Sequence, residues 1–474
     1  MKVLFVTSES VPFAVSGGLG DVSGALPKAL RRRFIGCRVV MPLYGDIPQQ
    51  YREKMEYLCS FYVPLSWRSQ YCGVFRLTYN GVIYYFIDNE YYFKRSGLYG
   101  YFDDGERFAF FSKAVLEMLQ HIDFEPDIIH TNDWQSALVN VFLNAFYRSH
   151  PRCYGIKTLF TIHNIQYQGQ YGSGIIGDVL GLGGKDAATV TFRDDCNYMK
   201  GAIEAADRVN TVSPTYAHEI LDPYYAHGLD GFLYQKRDKL SGILNGIDYS
   251  VYDPANDSIL AANYDENDLS GKAACKKQLL ELYGLPDDGR PVVGIVSRLV
   301  AHKGFDLVTA VLEQIVRNGM QVVILGTGEY DYESYFSEFA ANHPDSCGCK
   351  LAFMPDLARR VYAGADIFLM PSRSEPCGLA QMIALRYGTV PVVRETGGLR
   401  DTIHDCGYGE GNGFTFASYS AVDMIHALVR AKNLYYGHPD EWDMLRRAGM
   451  RCDNSWKNAA GQYVALYKQM LTLW

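Results

Sequence analysis

Arg298, Lys303 and Glu375 are the residues whose types and spacing most directly permit chemistry. The apolar run Val292–Val296 is followed by Ser297-Arg298-Leu299 and then by His302-Lys303-Gly304. A guanidinium therefore stands at the end of a predicted strand, with an ammonium at the start of the next helix. Ligands of open α/β sheets bind just outside such strand ends. Two cations there could neutralise the charge that builds on a departing diphosphate, with no metal needed. A lysine at a helix start opposes the helix dipole, which argues that it serves another purpose. A second run, Ile367–Met370, ends in Pro371-Ser-Arg-Ser-Glu375-Pro-Cys377-Gly378-Leu379. A carboxylate in that turn can accept hydrogen bonds from sugar hydroxyls, while the following helix N-terminus attracts negative charge. Val390–Val393 is followed at once by Thr396-Gly397-Gly398-Leu399, a second flexible turn at the same predicted edge. Together these turns point to a site for a phosphorylated sugar.

The first half of the chain carries related turns. Ser16-Gly17-Gly18-Leu-Gly-Asp21 echoes Thr396-Gly397-Gly398-Leu-Arg-Asp401. Paired glycines let backbone N–H groups approach an anion or a sugar closely. One such turn alone would be an ordinary strand-to-helix connection; two of them imply half-sites facing one cleft. Thr161-Ile-His163-Asn164 leads into Tyr167-Gln168-Gly169 after a strand, and His130-Thr-Asn132-Asp133-Trp134 follows another. His163, among amides and a tyrosine, is a candidate sugar contact. Asp133 either acts on an incoming hydroxyl or caps the following helix.

Strand-length apolar runs alternate with helix-period segments nearly end to end. The first half offers Val3–Val6, Val39–Met41, Val82–Ile87, Asp127–His130, Thr158–Ile162 and Arg208–Val212. The second offers Gly242–Leu244, Val292–Val296, Val322–Leu325, Leu351–Met354, Ile367–Met370 and Val390–Val393. Helical patterns between them include Phe108–His121, Ser136–Tyr147, Lys303–Val316 and Ala421–Leu434. The alternation predicts an α/β protein with parallel sheets covered by helices on both faces, in two Rossmann-like doubly wound domains. The join is placed at Asn245-Gly-Ile-Asp248, where a turn precedes a Pro/Asn/Asp-rich loop. The stretch from Tyr84 to Phe111 is dense in tyrosine and phenylalanine and jointed by glycines. It reads either as a loop that stacks against sugar rings or as a packed surface excursion.

Size and charge narrow the class. The 474 residues exceed one ordinary core,. The net charge of -8, with no basic block, argues against a nucleic-acid partner,. Eleven scattered cysteines do not form a secreted disulfide framework,. Cys347-Gly-Cys349 lacks the second pair or nearby histidines that a metal would need. The N-terminal apolar run breaks at Glu9, too early for a signal peptide, and no run reaches the ~18 apolar residues of a membrane helix. A cytoplasmic protein with no membrane partner is expected.

These strings, in this order, resemble the bacterial glycogen synthase and plant starch synthase family, retaining glucosyltransferases of GT-B type, over essentially the whole chain. The resemblance rests on Gly-Gly-Leu-Gly-Asp21, His130-Thr-Asn-Asp-Trp134, Thr-Ile-His163-Asn, Asn245-Gly-Ile-Asp248, Ser-Arg298-Leu with Lys303-Gly, Glu375-Pro-Cys-Gly-Leu and Thr-Gly-Gly-Leu399. It implies an acceptor-side domain over 1–244, a nucleotide-sugar domain over 245–454, and a C-terminal helix over 455–474 that crosses back to the first domain. It implies that Arg298 and Lys303 bind the donor diphosphate, Glu375 holds the glucose, His163 lies beside it, and Asp133, Tyr167 and Gln168 line the acceptor side. Gly17, Gly18, Asp21, Asn245, Cys377, Gly378, Leu379, Thr396, Gly397 and Gly398 would complete the donor site, with Phe353 against adenine. ADP-glucose and an α-1,4-glucan are the implied substrates, with no metal or other cofactor. UDP-glucose with a small acceptor, and a catalytically weak glucan-binding paralogue, are the alternatives. One departure favours the latter: the family's first motif usually begins with lysine, where this chain has Val15 before Ser16.

Overall fold

Short, buried apolar runs become the parallel strands, because in a parallel sheet helices cover both faces. The computed structural model describes residues 1–408 and 410–472. It divides into two units, Met1–Asn245 with Trp456–Trp474, and Gly246–Ser455.

Strands of the first unit are β1 (Lys2–Val6), β2 (Gly36–Pro42), β3 (Glu56–Leu65), β4 (Arg68–Tyr79), β5 (Val82–Asp88), β6 (Ile128–Asn132), β7 (Lys157–Ile162), β8 (Gln170–Tyr171), β9 (Thr191–Phe192), β10 (Asp195–Asn197), β11 (Arg208–Thr211) and β12 (Leu240–Gly242). Among the described residues the main sheet runs β12-β11-β7-β6-β1-β2-β5-β4-β3, and β8, β10 and β9 form a small sheet apart. The strands from β12 to β5 are parallel, while β4 and β3 add an antiparallel hairpin at the edge. Chain order reverses direction at β1, between β6 and β2, so the switch point lies at the exits of β1 and β6,.

The second unit holds β13 (Val292–Val296), β14 (Gln321–Leu325), β15 (Cys347–Lys350), β16 (Ile367–Met370), β17 (Val390–Arg394) and β18 (Phe414–Phe416). These are all parallel, in the order β15-β14-β13-β16-β17-β18. Its switch point lies between β13 and β16, the two strands whose exits carry Arg298, Lys303 and Glu375.

Three expectations need correction. The strand expected over Leu351–Met354 lies earlier, at Cys347–Lys350, where Cys347 to Lys350 pair in register with Val322 to Leu325. Residues 351–354 are a loop instead, because Pro355 opens the next helix and fixes the chain direction there,. The strand expected at Gly242–Leu244 is likewise two residues earlier, at Leu240–Gly242. The aromatic stretch from Tyr84 to Phe111 is mostly core, with Tyr91 and Phe102 left exposed between β5 and the helix Asp104–His121. Tyr84, Tyr85 and Phe86 lie within β5, and Tyr92, Phe93, Phe108, Phe110 and Phe111 are buried core.

The C-terminal helix, Trp456–Thr472, buries Trp456, Ala460, Tyr463, Tyr467 and Met470, a three-and-four spacing that forms one apolar stripe,. Its two buried tyrosines find polar partners beneath the sheet. Tyr463 Oη accepts from Asn210 Nδ2 at 3.0 Å, and Tyr467 Oη meets His130 Nδ1 at 2.7 Å. Burial holds His130 well below the usual imidazole range, so it is a neutral ring with both nitrogens engaged, the other by Thr161 Oγ1. Tyr467→Phe should therefore leave a buried ring nitrogen unpaired and cost about 1–3 kcal/mol, read as a lowered thermal midpoint of the full-length protein. An unchanged midpoint would show that the helix is held by its apolar stripe alone.

Candidate active site

In the second unit, the loop after β13 is steered by backbone bonds to the loop after β14. Ser297 N donates to Leu325 O, and Leu299 N to Thr327 O. This leaves Arg298 exposed between two tethered neighbours. A single 3-10 turn, Ala301–Lys303, then meets Gly304, whose φ of 81° only glycine adopts without strain,. A side chain at Gly304 would lie 2.1 Å from Pro371 O, so the lysine turn can press directly onto the loop after β16.

That contact brings Lys303 to Glu375. Lys303 Nζ donates to Glu375 Oε2 at 2.7 Å, and Ser372 Oγ donates to the same oxygen at 2.9 Å. Glu375 is buried, and an isolated carboxylate there would be costly, so the ammonium is what permits it,. Both bonds fall on Oε2, and Lys303 keeps further N–H groups for another acceptor. His302 beside them is pushed down to about 4, by burial first and then by the Lys303 charge. Exposed Arg298 and the spare N–H groups of Lys303 leave donors for an anion at this edge,.

The glycine pair at 397–398 serves this segment rather than lying open. A Cβ on Gly397 would come within 1.9 Å of Glu375 O, and one on Gly398 within 2.0 Å of Cys377 O. Gly398 N donates to the carbonyls of Glu375 and Pro376. Small residues are needed because the Glu375–Cys377 backbone crosses them. Thr396 and Cys377 are buried, Gly378 turns with φ 72°, and Leu379 precedes the helix Ala380–Arg386. Phe353, 88% exposed, stands in the loop after β15.

The first unit builds its half around a residue that the sequence reading passed over. Glu9, buried in the loop after β1, accepts from Ser16 N at 2.7 Å, Ser16 Oγ at 2.8 Å, Gly17 N at 3.0 Å and Tyr99 Oη at 2.8 Å. Two amides that the glycine turn offered to a ligand are thus occupied by the protein's own carboxylate. The available signal was the carboxylate itself, breaking an apolar run ahead of the glycine pair at 17–18. Gly17 caps the helix Gly18–Arg31, and Asp21 is exposed in its first turn. Val15 is 45% exposed and leans on Gly20, where a Cβ would meet it at 2.8 Å. Asn245 is buried, and among the described residues its Oδ1 has no hydrogen-bond partner.

Asp133 does not cap its helix. It sits at the helix start with φ 54°, a left-handed conformation that costs a non-glycine residue energy,. Its Oδ1 instead accepts from His163 N at 2.7 Å and Asn164 N at 3.4 Å, joining the exits of β6 and β7. Burial pushes its carboxyl up to about 7; those amides oppose the shift and the Glu9 charge adds to it. His163 Nε2 faces Asn132 Oδ1 at 2.9 Å. Asn132 Nδ2 is used on Val6 O and His130 O, which fixes that amide's orientation and makes His163 Nε2 the protonated nitrogen,. Burial pushes the ring down to about 3, so Nδ1 keeps its lone pair and can accept from a hydroxyl. Tyr167 is 49% exposed. Gln168 is turned inward, donating to Ile165 O and His227 O and accepting from Gln170 and Asn197.

Comparison with known proteins fits this geometry. The starch synthase catalytic domain family matches residues 2–235, and the glycosyl transferases group 1 family matches residues 284–435. A glycogen synthase from Clostridium acetobutylicum is 48% identical over 99% of this chain and 100% of its own length. One from Geobacillus thermodenitrificans is 48% identical over 99% and 98%. The catalytic domain of starch synthase IV from Arabidopsis thaliana, bound to ADP and acarbose, superposes with a TM-score of 0.92 at 33% identity, covering 99% of both chains. A sucrose-phosphate synthase from Thermosynechococcus elongatus, 16% identical with a TM-score of 0.62 over 99% and 98%, shares the fold. The chain belongs to the glycogen synthase and starch synthase family of GT-B-type glycosyltransferases.

Proposed function

We propose that this protein transfers glucose from ADP-glucose to the non-reducing 4-hydroxyl of an α-1,4-glucan, with retention of configuration. The observation that carries the reading is the Lys303–Glu375 pair at a switch point, in a chain that superposes throughout on a starch synthase bound to ADP and acarbose. Glu375 Oε1 accepts from the glucose hydroxyls while Oε2 stays tied to Lys303 and Ser372. Arg298 and the remaining N–H groups of Lys303 take the diphosphate and stabilise its charge as the glycosidic bond breaks. The diphosphate oxygen receives the proton of the acceptor hydroxyl, which attacks from the same face; no protein nucleophile is required for retention. His163 Nδ1 accepts from the sugar, and Asp133 and Tyr167 serve the acceptor side. Phe353 offers its exposed ring to adenine. The charges of Arg298 and Lys303 make a metal unnecessary to this scheme. Eleven free cysteines support a cytoplasmic location,.

A second reading rests on Val15. Without lysine there, the first unit lacks one cation toward the donor, and the loss of one charge-assisted contact is worth ~1.5–3 kcal/mol. A glucan-binding paralogue of low turnover would follow.

The decisive measurement is ADP release with ADP-glucose against UDP-glucose, using glycogen as acceptor. ADP-glucose should be preferred, and Val15→Lys should raise turnover no more than about tenfold; release only after that substitution would favour the paralogue. Lys303→Ala and Glu375→Ala should each lower turnover by orders of magnitude with thermal midpoints still cooperative. Near-normal glucan extension by either would sink the assignment.

Asp133 carries a pH signature. Its carboxyl rises from about 4 unfolded to about 7 folded, so the folded state binds the proton more tightly. Its stability contribution is thus greatest below pH 4 and declines as pH rises toward 7. Asp133→Asn should stabilise the protein by roughly 1–3 kcal/mol more at pH 8 than at pH 4, seen in urea midpoints at the two values. Equal gains at both would remove the strained acid from the account.

A further inference from the structure

Tyr419 joins, from outside, the two segments that carry the Lys303–Glu375 pair. It stands half-buried in the loop after β18. Its hydroxyl donates to Asp306 Oδ1. Asp306 is the second residue of the helix Phe305–Arg317, one turn past Lys303. The Arg373 guanidinium lies over the same ring, with Cζ 4.7 Å from its centroid, and Arg373 comes shortly before Glu375 in the chain. Arg373 Nη2 also stands 3.8 Å from Asp306 Oδ2. The backbone of Arg373 is held at both ends: its N–H donates to His302 O at 2.9 Å, and its carbonyl accepts from Arg394 Nη1 at 2.8 Å. Arg394 closes β17, is buried, and places its own Cζ 5.7 Å from the Tyr419 ring centroid. Burial first, and then the hydrogen bond to Asp306, push the Tyr419 phenol up, so it stays protonated and remains the donor,.

We propose that Tyr419 is a positioning residue for glucosyl transfer, acting on Lys303 through Asp306 and on Glu375 through Arg373. The proposal rests on the reading that Lys303 and Glu375 serve the donor. Their ion pair fixes the distance between an ammonium and a carboxylate. It does not fix where the two stand relative to the strand exits, since both can shift together. Gly304, at φ 81°, is a pivot between the lysine turn and its helix,. An anchor on Asp306, just past that pivot, and another on Arg373, at the start of the Glu375 turn, hold both sides to the loop after β18. These contacts contribute little to stability, because Asp306 and Arg373 are exposed, and exposed ion pairs and arginine–aromatic contacts are weak,. Their value lies in placement. Charges that stabilise a transition state must stand in position before it forms, and a remote change that misplaces them by about 1 Å costs on the order of a hundredfold in rate.

The test combines kcat and KM for ADP-glucose with glycogen, thermal midpoints, and crystal structures of the full-length protein and its variants. Tyr419→Ala, which removes ring and hydroxyl, should lower kcat about fiftyfold while changing KM for ADP-glucose less than about threefold. Its midpoint should stay near that of the unsubstituted protein. Tyr419→Phe keeps the ring against Arg373 and should lose only about fivefold in kcat. Asp306→Ala combined with Tyr419→Phe should lose no more than Asp306→Ala alone, since both remove the same bond. Multiplied losses in that pair, or a lowered midpoint with kcat intact, overturn the proposal and leave Tyr419 a tether of the fold. The crystal structure of Tyr419→Ala should show the Lys303–Glu375 pair displaced by about 1 Å relative to β13, and an unmoved pair overturns the proposal as well. That readout needs no turnover. A wild-type protein that releases no ADP from ADP-glucose, with the pair displaced in Tyr419→Ala, would therefore count against the glucosyl-transfer reading and not against the positioning.

Discussion

The candidate site of the second unit depends on one ion pair. Glu375 is buried at a strand exit, where a lone carboxylate would either cost several kcal/mol or take up a proton. Lys303 removes that cost, and its own position is set by backbone: a left-handed glycine at 304 and a carbonyl at Pro371 in near contact. The second glycine turn completes the frame, since residues with side chains at 397 and 398 would collide with the same loop. Three turns from three strands are locked to each other before any ligand arrives. Such locking is what electrostatic catalysis asks of a site, because charges that need not reorganise stabilise a transition state most cheaply.

The first unit shows a different electrostatic regime. Glu9 occupies two amides of the glycine turn, Asp133 is raised toward 7, and His163 is held neutral with a defined tautomer. Hydrogen-bond acceptors gather at these strand exits, while Arg298 and Lys303 stand at a strand exit of the other unit. The split matches the division of labour between a polyhydroxyl acceptor, which donates hydrogen bonds, and a diphosphate, which receives them. It also explains why Asp133 tolerates a left-handed backbone: that conformation is what turns its carboxylate onto the amides of the neighbouring strand exit.

Strand-forming runs with both faces buried were legible from composition alone, and so was the pairing of motifs with strand exits. What escaped was set by partners distant in sequence. Cys347–Lys350 is a strand because β14 lies beside it; the more apolar Leu351–Met354 is not, because a helix starts at Pro355. The hairpin at 56–79 pairs half-exposed strands, so it lacks the continuous apolar signal of the parallel core. Among site residues, Arg298, Lys303 and Glu375 announced themselves by charge at a turn. The protein partners of the glycine turns could not be seen: Gly397 and Gly398 lie against Glu375 and Cys377, far earlier in the chain, and Gly17 N meets the Glu9 carboxylate. Gln168 looked like a sugar contact from its motif, yet its amide is spent on four protein partners.

Val15 ties the two regimes together. Glu9 carries a charge that already raises Asp133, and it grips the turn directly after position 15. A lysine at 15 would place a cation on that turn and pull the Asp133 carboxyl back toward its ordinary range,. With valine, packed on Gly20, Asp133 keeps its raised affinity for protons, and under the proposed function Arg298 and Lys303 alone neutralise the donor. Under the proposed function the substitution therefore acts on two quantities, the charge met by the diphosphate and the protonation of Asp133. These respond differently to solution conditions: salt screens the former when the cation is exposed, while pH shifts the latter whatever the ionic strength.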